Sequence, residues 1–220
     1  NYSSQTCAVN FTAGQSSRMR AALMASRPGL IYSLGDSAPT TDTVQTAACI
    51  PTTGSPNNSF GMGVFEIEVL NEYKFVGGGM KDDGGYKDNT KLQVIELVDG
   101  TFYSLTVTTG LANNEDVHLY IDYNGDGDFT DAIDSSYTSD RTNGSPITNT
   151  HTFTFLTPFS GIVFNKNIRL RVISDWYNNT ITGSCYNPSF GQAEDFSIRI
   201  NKAVTPLSVS IGSRNNVSCN

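Results

Sequence analysis

From about residue 60 onward, apolar and polar side chains alternate with a period of two. Phe65, Ile67 and Val69 alternate with Glu66 and Glu68, and Leu105 and Val107 flank Thr106. Val117, Leu119 and Ile121 alternate with His118, Tyr120 and Asp122, and Phe153 and Phe155 with Thr152 and Thr154. Ile168, Leu170 and Val172 alternate with Arg169 and Arg171, and Phe196, Ile198 and Ile200 with Ser197 and Arg199. This period places one face of each segment on a core and the other in water. The pattern predicts a mainly β fold, an antiparallel β-sandwich of jelly-roll-like type with a wet outer face. Leu207 to Ile211 reads as one more strand or the start of a following segment.

The chain before residue 60 differs. Thr12 to Gln15 forms a capping box, and Met19, Ala22 and Leu23 then share a face. This predicts one N-terminal amphipathic helix, ended by Pro28 and Gly29. Residues 35–59 are rich in Thr, Ser, Pro and Ala without an apolar period, so they read as a linker or an irregular surface strap. The expected organisation is a helical segment over 1–34, the strap over 35–59, the sandwich over 60–201 and a terminal strand or linker over 202–220.

Composition narrows the function. The 220 residues hold 14 basic and 21 acidic side chains, a net charge of −7, which argues against nucleic acid as a partner. No run of 18 apolar residues occurs, so no membrane-inserted helix is expected. Few charges beside abundant Ser, Thr, Asn and aromatic residues suit a secreted or cell-surface β protein. The four cysteines, Cys7, Cys49, Cys185 and Cys219, form no C-x-x-C pair and read as disulfide partners in an oxidising compartment. They allow three pairings, of which Cys49 with Cys185 is preferred.

The strongest chemical signal runs from Asp122 to Phe129. Asp122, Asn124 and Asp126 supply oxygens at loop positions 1, 3 and 5. Gly127 gives the sharp turn at position 6, and Asp128 offers its carbonyl at position 7. Position 12 is Ile133, with Asp134 one residue later, so the loop departs from the EF-hand pattern. Two carboxylates about 6 Å apart repel by roughly 1 kcal/mol in water and about 3 kcal/mol near a protein surface. The crowding of Asp122, Asp126, Asp128, Asp131 and Asp134 therefore calls for a cation, and Ca2+ is the expected one. No H-E-x-x-H or other catalytic motif occurs, so no catalytic residue is expected within this chain. Tyr86, Tyr123, Trp176 and Tyr177 are candidates for stacking on a polysaccharide or contacting an extracellular protein.

The order of several landmarks resembles the GEVED domain of secreted bacterial proteins. Gly85 to Thr90 is similar to its G-Y-x-D-x-T segment, Gly100 to Tyr103 to its G-x-x-Y strand start, and Tyr120 to Phe129 to its I-D-W-N-x-D-G-x-F loop. Arg169 to Arg171 is similar to its R-x-R strand. Cys185 and Gly191 to Phe196 are similar to its closing Cys and G-E-V-E-D-Y, with Gln192 and Ala193 replacing Glu and Val. The resemblance implies that Glu194 reaches the aspartate loop as the missing metal ligand. Residues 1–34 resemble the end of a pappalysin/cytophagalysin zinc-protease domain through Tyr2, Cys7, Phe11-Thr12, Gly14-Gln15 and Arg18-Met19. That resemblance implies an upstream protease domain as neighbour and a zinc metalloendopeptidase as the parent protein. The expected function is a non-catalytic, calcium-stabilised accessory module of a secreted bacterial protease. The alternative is a freestanding carbohydrate-binding or adhesive surface module.

Overall fold

Two sheets enclose one apolar cluster in the computed structural model, which describes residues 42–54, 60–70, 72–141 and 147–203 and a few positions between 14 and 22. The expected N-terminal helix, the protease-like segment, the strand at Leu207–Ile211, and Cys7 and Cys219 lie outside the described residues, apart from those few positions.

The strands are β1 Val64–Val69, β2 Tyr73–Val76, β3 Tyr86–Asp88, β4 Ile95–Val98 and β5 Phe102–Thr109. They continue as β6 Glu115–Ile121, β7 Ser135–Ser139, β8 Thr150–Leu156, β9 Asn167–Trp176 and β10 Gln192–Asn201. A short helix, α1 Gly79–Asp83, lies between β2 and β3. One sheet runs β2-β1-β5-β8. The other runs β3-β10-β9-β6-β7, with β4 pairing the same edge of β10 further along. Val107, Leu105 and Phe153 of the first sheet and Leu119, Leu170 and Phe196 of the second meet in the cluster. Rings close the gap between layers: Phe75 stands 5.2 Å from Phe196 and Tyr137 5.9 Å from Phe155, centroid to centroid.

Three features depart from the antiparallel reading. β3 and β4 run parallel to β10, so the second sheet is mixed. A bulge between Val64 and Glu66 puts Val64 with Ile67 and Val69 in the core and turns Phe65 against Gly79. The outer face of the second sheet is not wet, because nearly every residue of β6, β9 and β10 is buried on both faces.

That outer face is covered by residues 42–54 and by the 177–191 loop. The Asn167 N–H donates to Asp42, Arg169 Nη2 donates to the Gln45 carbonyl, and the Ala48 N–H donates to the Gly127 carbonyl. Cys49 and Cys185 form a disulfide across 136 residues of sequence. Asp175, fully buried on β9, anchors the covering loop. Its carboxylate accepts the N–H groups of Trp176, Ser189, Phe190 and Gly191, the Asn179 amide and the Tyr186 hydroxyl.

Candidate calcium loop and the network beneath it

β6 ends in the aspartate loop, and its carboxylates divide into two groups. Asp122 is fully buried and turns inward, accepting the Gly125 N–H at 2.6 Å and the Gly127 N–H at 2.9 Å. Burial raises its pKa to about 6, with the charges of Asp134 and Asp126 acting the same way and the two glycine N–H groups acting against them. Asp134 also turns to the backbone, accepting the N–H groups of Tyr123 at 2.9 Å and Asp131 at 3.3 Å. Burial raises it too.

Asp126, Asp128 and Asp131 face outward instead, and one carboxylate oxygen of each lies within 4.8 Å of the others. The Asn124 amide donates to Asp126 at 3.0 Å and to Asp131 at 2.6 Å. The Asp128 N–H, foremost, and the Asn124 amide hold Asp126 below the usual carboxylate range. Asp128 accepts the N–H and hydroxyl of Thr130. The structure therefore gathers Asp126, Asp128 and Asp131 around Asn124, while Asp122 and Asp134 support the loop from beneath. The sequence pattern places Asp131 in the crowding but does not mark it as a ligand. Gly127 has φ +99°, and a Cβ there would stand 2.2 Å from the Thr46 carbonyl, so the turn and the strap both require glycine.

Glu194 does not join the loop. It lies in phase with Phe196 and Ile198 on the core side of β10, opposite Val172, which pairs Leu119. Two strand spacings and three residues separate it from Asp122, about 14 Å. It accepts the Asn89 amide at 2.8 Å, and burial raises its pKa to about 8, with Lys87 pulling it down and Asp83 pushing it up. Glu115 shares this inner side, accepts the N–H groups of Gly63 and Gly110, and is likewise raised to about 8 by burial.

The neighbour of Glu194 occupies the outer face. Asp195 is fully buried and accepts four donors: Arg171 Nε at 2.7 Å, Arg171 Nη2 at 2.8 Å, Arg169 Nη1 at 2.6 Å and the Tyr86 hydroxyl at 2.8 Å. Burial disfavours the Arg171 charge, but the bonds and charge of Asp195 outweigh it and raise its pKa. Arg171 also donates to the carbonyls of Ser184 and Cys49, which ties the strap and the disulfide to the sheet. Its guanidinium lies between two rings, 5.3 Å from the Phe129 centroid and 5.9 Å from that of Tyr86. Phe129, the apolar residue at loop position 8, thus seats the aspartate loop on the Arg171–Asp195 pair.

Residues 116–199 match the GEVED domain. The matched span runs from the start of β6 nearly to the end of β10. It contains the loop, both arginines and the Gly191–Phe196 segment whose pattern carries the GEVED resemblance. In the Gly191–Phe196 stretch of the matched span the positions have separate physical tasks. A Cβ on Gly191 would stand 2.0 Å from the Ser174 carbonyl, and Gln192 accepts the Val64 N–H at 2.9 Å. Ala193 packs with Ile173 and Tyr120, Glu194 faces inward, and Asp195 holds the arginines. No curated protein matches the chain.

The aromatic candidates separate. Tyr123 is buried in the core, where no ligand reaches it. Tyr86 is half-buried and committed to Asp195. Trp176 and Tyr177 meet edge to face at 5.6 Å, and each lines a cavity.

Proposed function

We propose that this chain is a non-catalytic, calcium-stabilised accessory β module from the C-terminal part of a secreted bacterial zinc metalloprotease. It serves substrate or surface binding and stability outside the cell. The convergence of Asp126, Asp128 and Asp131 within 4.8 Å is the observation that carries the calcium reading. Three carboxylates so close repel unless a cation or hydrogen-bond donors intervene, and oxygen-only ligands favour a hard cation such as Ca2+. In this reading, the ion would compete with the Asn124 amide for Asp126 and Asp131. The GEVED match supports the module class, and the disulfide suits an oxidising compartment.

Calorimetric titration with calcium tests the loop, compared between the wild-type chain and Asp126→Asn/Asp128→Asn. Binding is expected in the first and not in the second. Equal heats in both would reject the site. The protease association is tested by reading the coding DNA upstream of Asn1, where an in-frame H-E-x-x-H-x-x-G-x-x-H is expected. A freestanding carbohydrate or adhesive module is the second reading, favoured by the cavity that Trp176 lines with Phe60 and Phe190. A signal peptide joined closely to Asn1 would select it.

A further inference from the structure

Two cavities of opposite chemistry lie on either side of the Trp176–Tyr177 ridge. The first, about 230 Å³, is walled by Phe60, Met62, Trp176 and Phe190. Its rings are fixed edge to face, Phe60 to Phe190 at 5.4 Å and Trp176 to Phe190 at 5.9 Å. The second, about 430 Å³, holds Asp116, His118, Asp140, Tyr177 and Asn178. Both open at the start of β6, at the opposite end of that strand from the aspartate loop.

The second cavity holds two carboxylates, of which Asp116 lies near the Arg141 charge and Asp140 reaches solvent. His118 Nε2 lies 2.9 Å from Asp140 Oδ1, and its Nδ1 lies 3.2 Å from the Tyr120 hydroxyl, so both ring nitrogens are engaged. Asp116 accepts the Arg141 N–H through Oδ1. Asp116 is buried, whereas the Asp140 side chain is 58 % exposed and stands at the mouth. Asp116, His118 and Asp140 do not form a three-ligand group within 4.8 Å, a condition that Asp126, Asp128 and Asp131 alone meet among the described residues. Asp140, exposed at the mouth, is therefore the carboxylate that an incoming organic cation meets first. Tyr177 supplies an aromatic wall for such a cation. The ridge is held in place, since Asp175 accepts the Trp176 N–H and the Tyr177 N–H donates to the Asn114 carbonyl.

We propose that these paired cavities bind an extended peptide segment in which an apolar side chain neighbours a lysine or arginine. The apolar side chain fills the Phe60–Trp176–Phe190 cavity, and the basic one crosses the ridge to Asp140 at the mouth of the second cavity. This gives the accessory module a protein partner class and rests on its reading as a binding module. The calcium titration is independent of it, so either can fail alone.

Trp176 is the sole tryptophan, so its fluorescence reports the ridge directly. The full chain is titrated with short capped peptides centred on Leu-Lys, Leu-Glu and Ser-Lys, and with a neutral oligosaccharide. The Leu-Lys peptide is expected to shift the emission saturably. The Ser-Lys peptide binds about tenfold more weakly through lost apolar burial. Asp140→Asn weakens Leu-Lys binding by about two- to fivefold, as for one exposed ion pair. Equal responses to Leu-Lys and Leu-Glu, no response to any peptide, or a response to the oligosaccharide alone would each overturn the proposal. The discrimination between peptides is read on the unmodified chain and does not depend on any variant folding.

Discussion

Asp195→Asn tests the network that ties sheet, strap and loop together. The buried carboxylate accepts four donors from Arg171, Arg169 and Tyr86. The amide keeps one acceptor oxygen, loses the charge and turns an NH2 toward guanidinium N–H groups. Two cations then remain next to each other in a site where Arg171 is fully buried and Arg169 nearly so. Removing one partner of a buried pair costs about 3–5 kcal/mol. A chain of this size loses about 2–4 °C of melting temperature per kcal/mol, so a fall of roughly 10 °C is expected. Urea titration gives the free energy and differential scanning calorimetry the melting temperature. Lys74→Ala is the contrast, because the Lys74–Glu66 pair at 2.8 Å is partly exposed and is worth less than about 1 kcal/mol. Hydrogen exchange at Ala48 should quicken in Asp195→Asn, because Arg171 no longer holds the Cys49 carbonyl firmly. If Asp195→Asn costs no more than Lys74→Ala, the pair does not hold the outer face together.

Calcium in millimolar excess over a chelator should raise the wild-type melting temperature, and the Asp126→Asn/Asp128→Asn chain should show no such gain. Replacing Cys49 and Cys185 together by Ser should destabilise the chain by about 5 kcal/mol in the loop-entropy account, read by urea titration, since the bridge spans 136 residues. Stability should fall as pH rises from about 4.5 to about 8. Glu115 and Glu194 hold their protons up to about 8 when folded but release them near the ordinary value of 4.5 when unfolded. Melting temperatures across that window should decline less steeply in Glu194→Gln, and an unchanged slope would refute a protonated Glu194.

Much of the fold is written in the period of two. It names Ile67, Leu105, Leu119, Phe153, Leu170 and Phe196 as core, and all lie there. The same parity carries the tasks of Glu194 and Asp195. Glu194 is in phase with Phe196 and must face inward, while Asp195 is opposite Arg171 and must face the arginines. The GEVED resemblance points Glu194 toward the loop, whereas the alternation assigns it to the core side. The loop's position, its turn glycine and its acidity were also legible in the sequence.

Other features needed the third dimension. A strand's period distinguishes two faces but does not say what covers each. The burial of Arg169, Arg171 and Asp195 therefore depends on a strap whose own sequence has no period. The parallel docking of β3 and β4 on β10 is a choice between sheet edges that local pattern does not encode. Within the loop, a carboxylate's direction follows from which N–H groups stand beneath it. Asp122 and Asp134 turn to N–H groups beneath the loop, whereas Asp126 and Asp128 accept N–H groups on its outer side and meet Asp131 there. Residue types and spacing determined that the chain would form a β protein with an acidic loop. The tertiary packing decided which of those acids share a site, because burial and competing donors act through space and not along the chain.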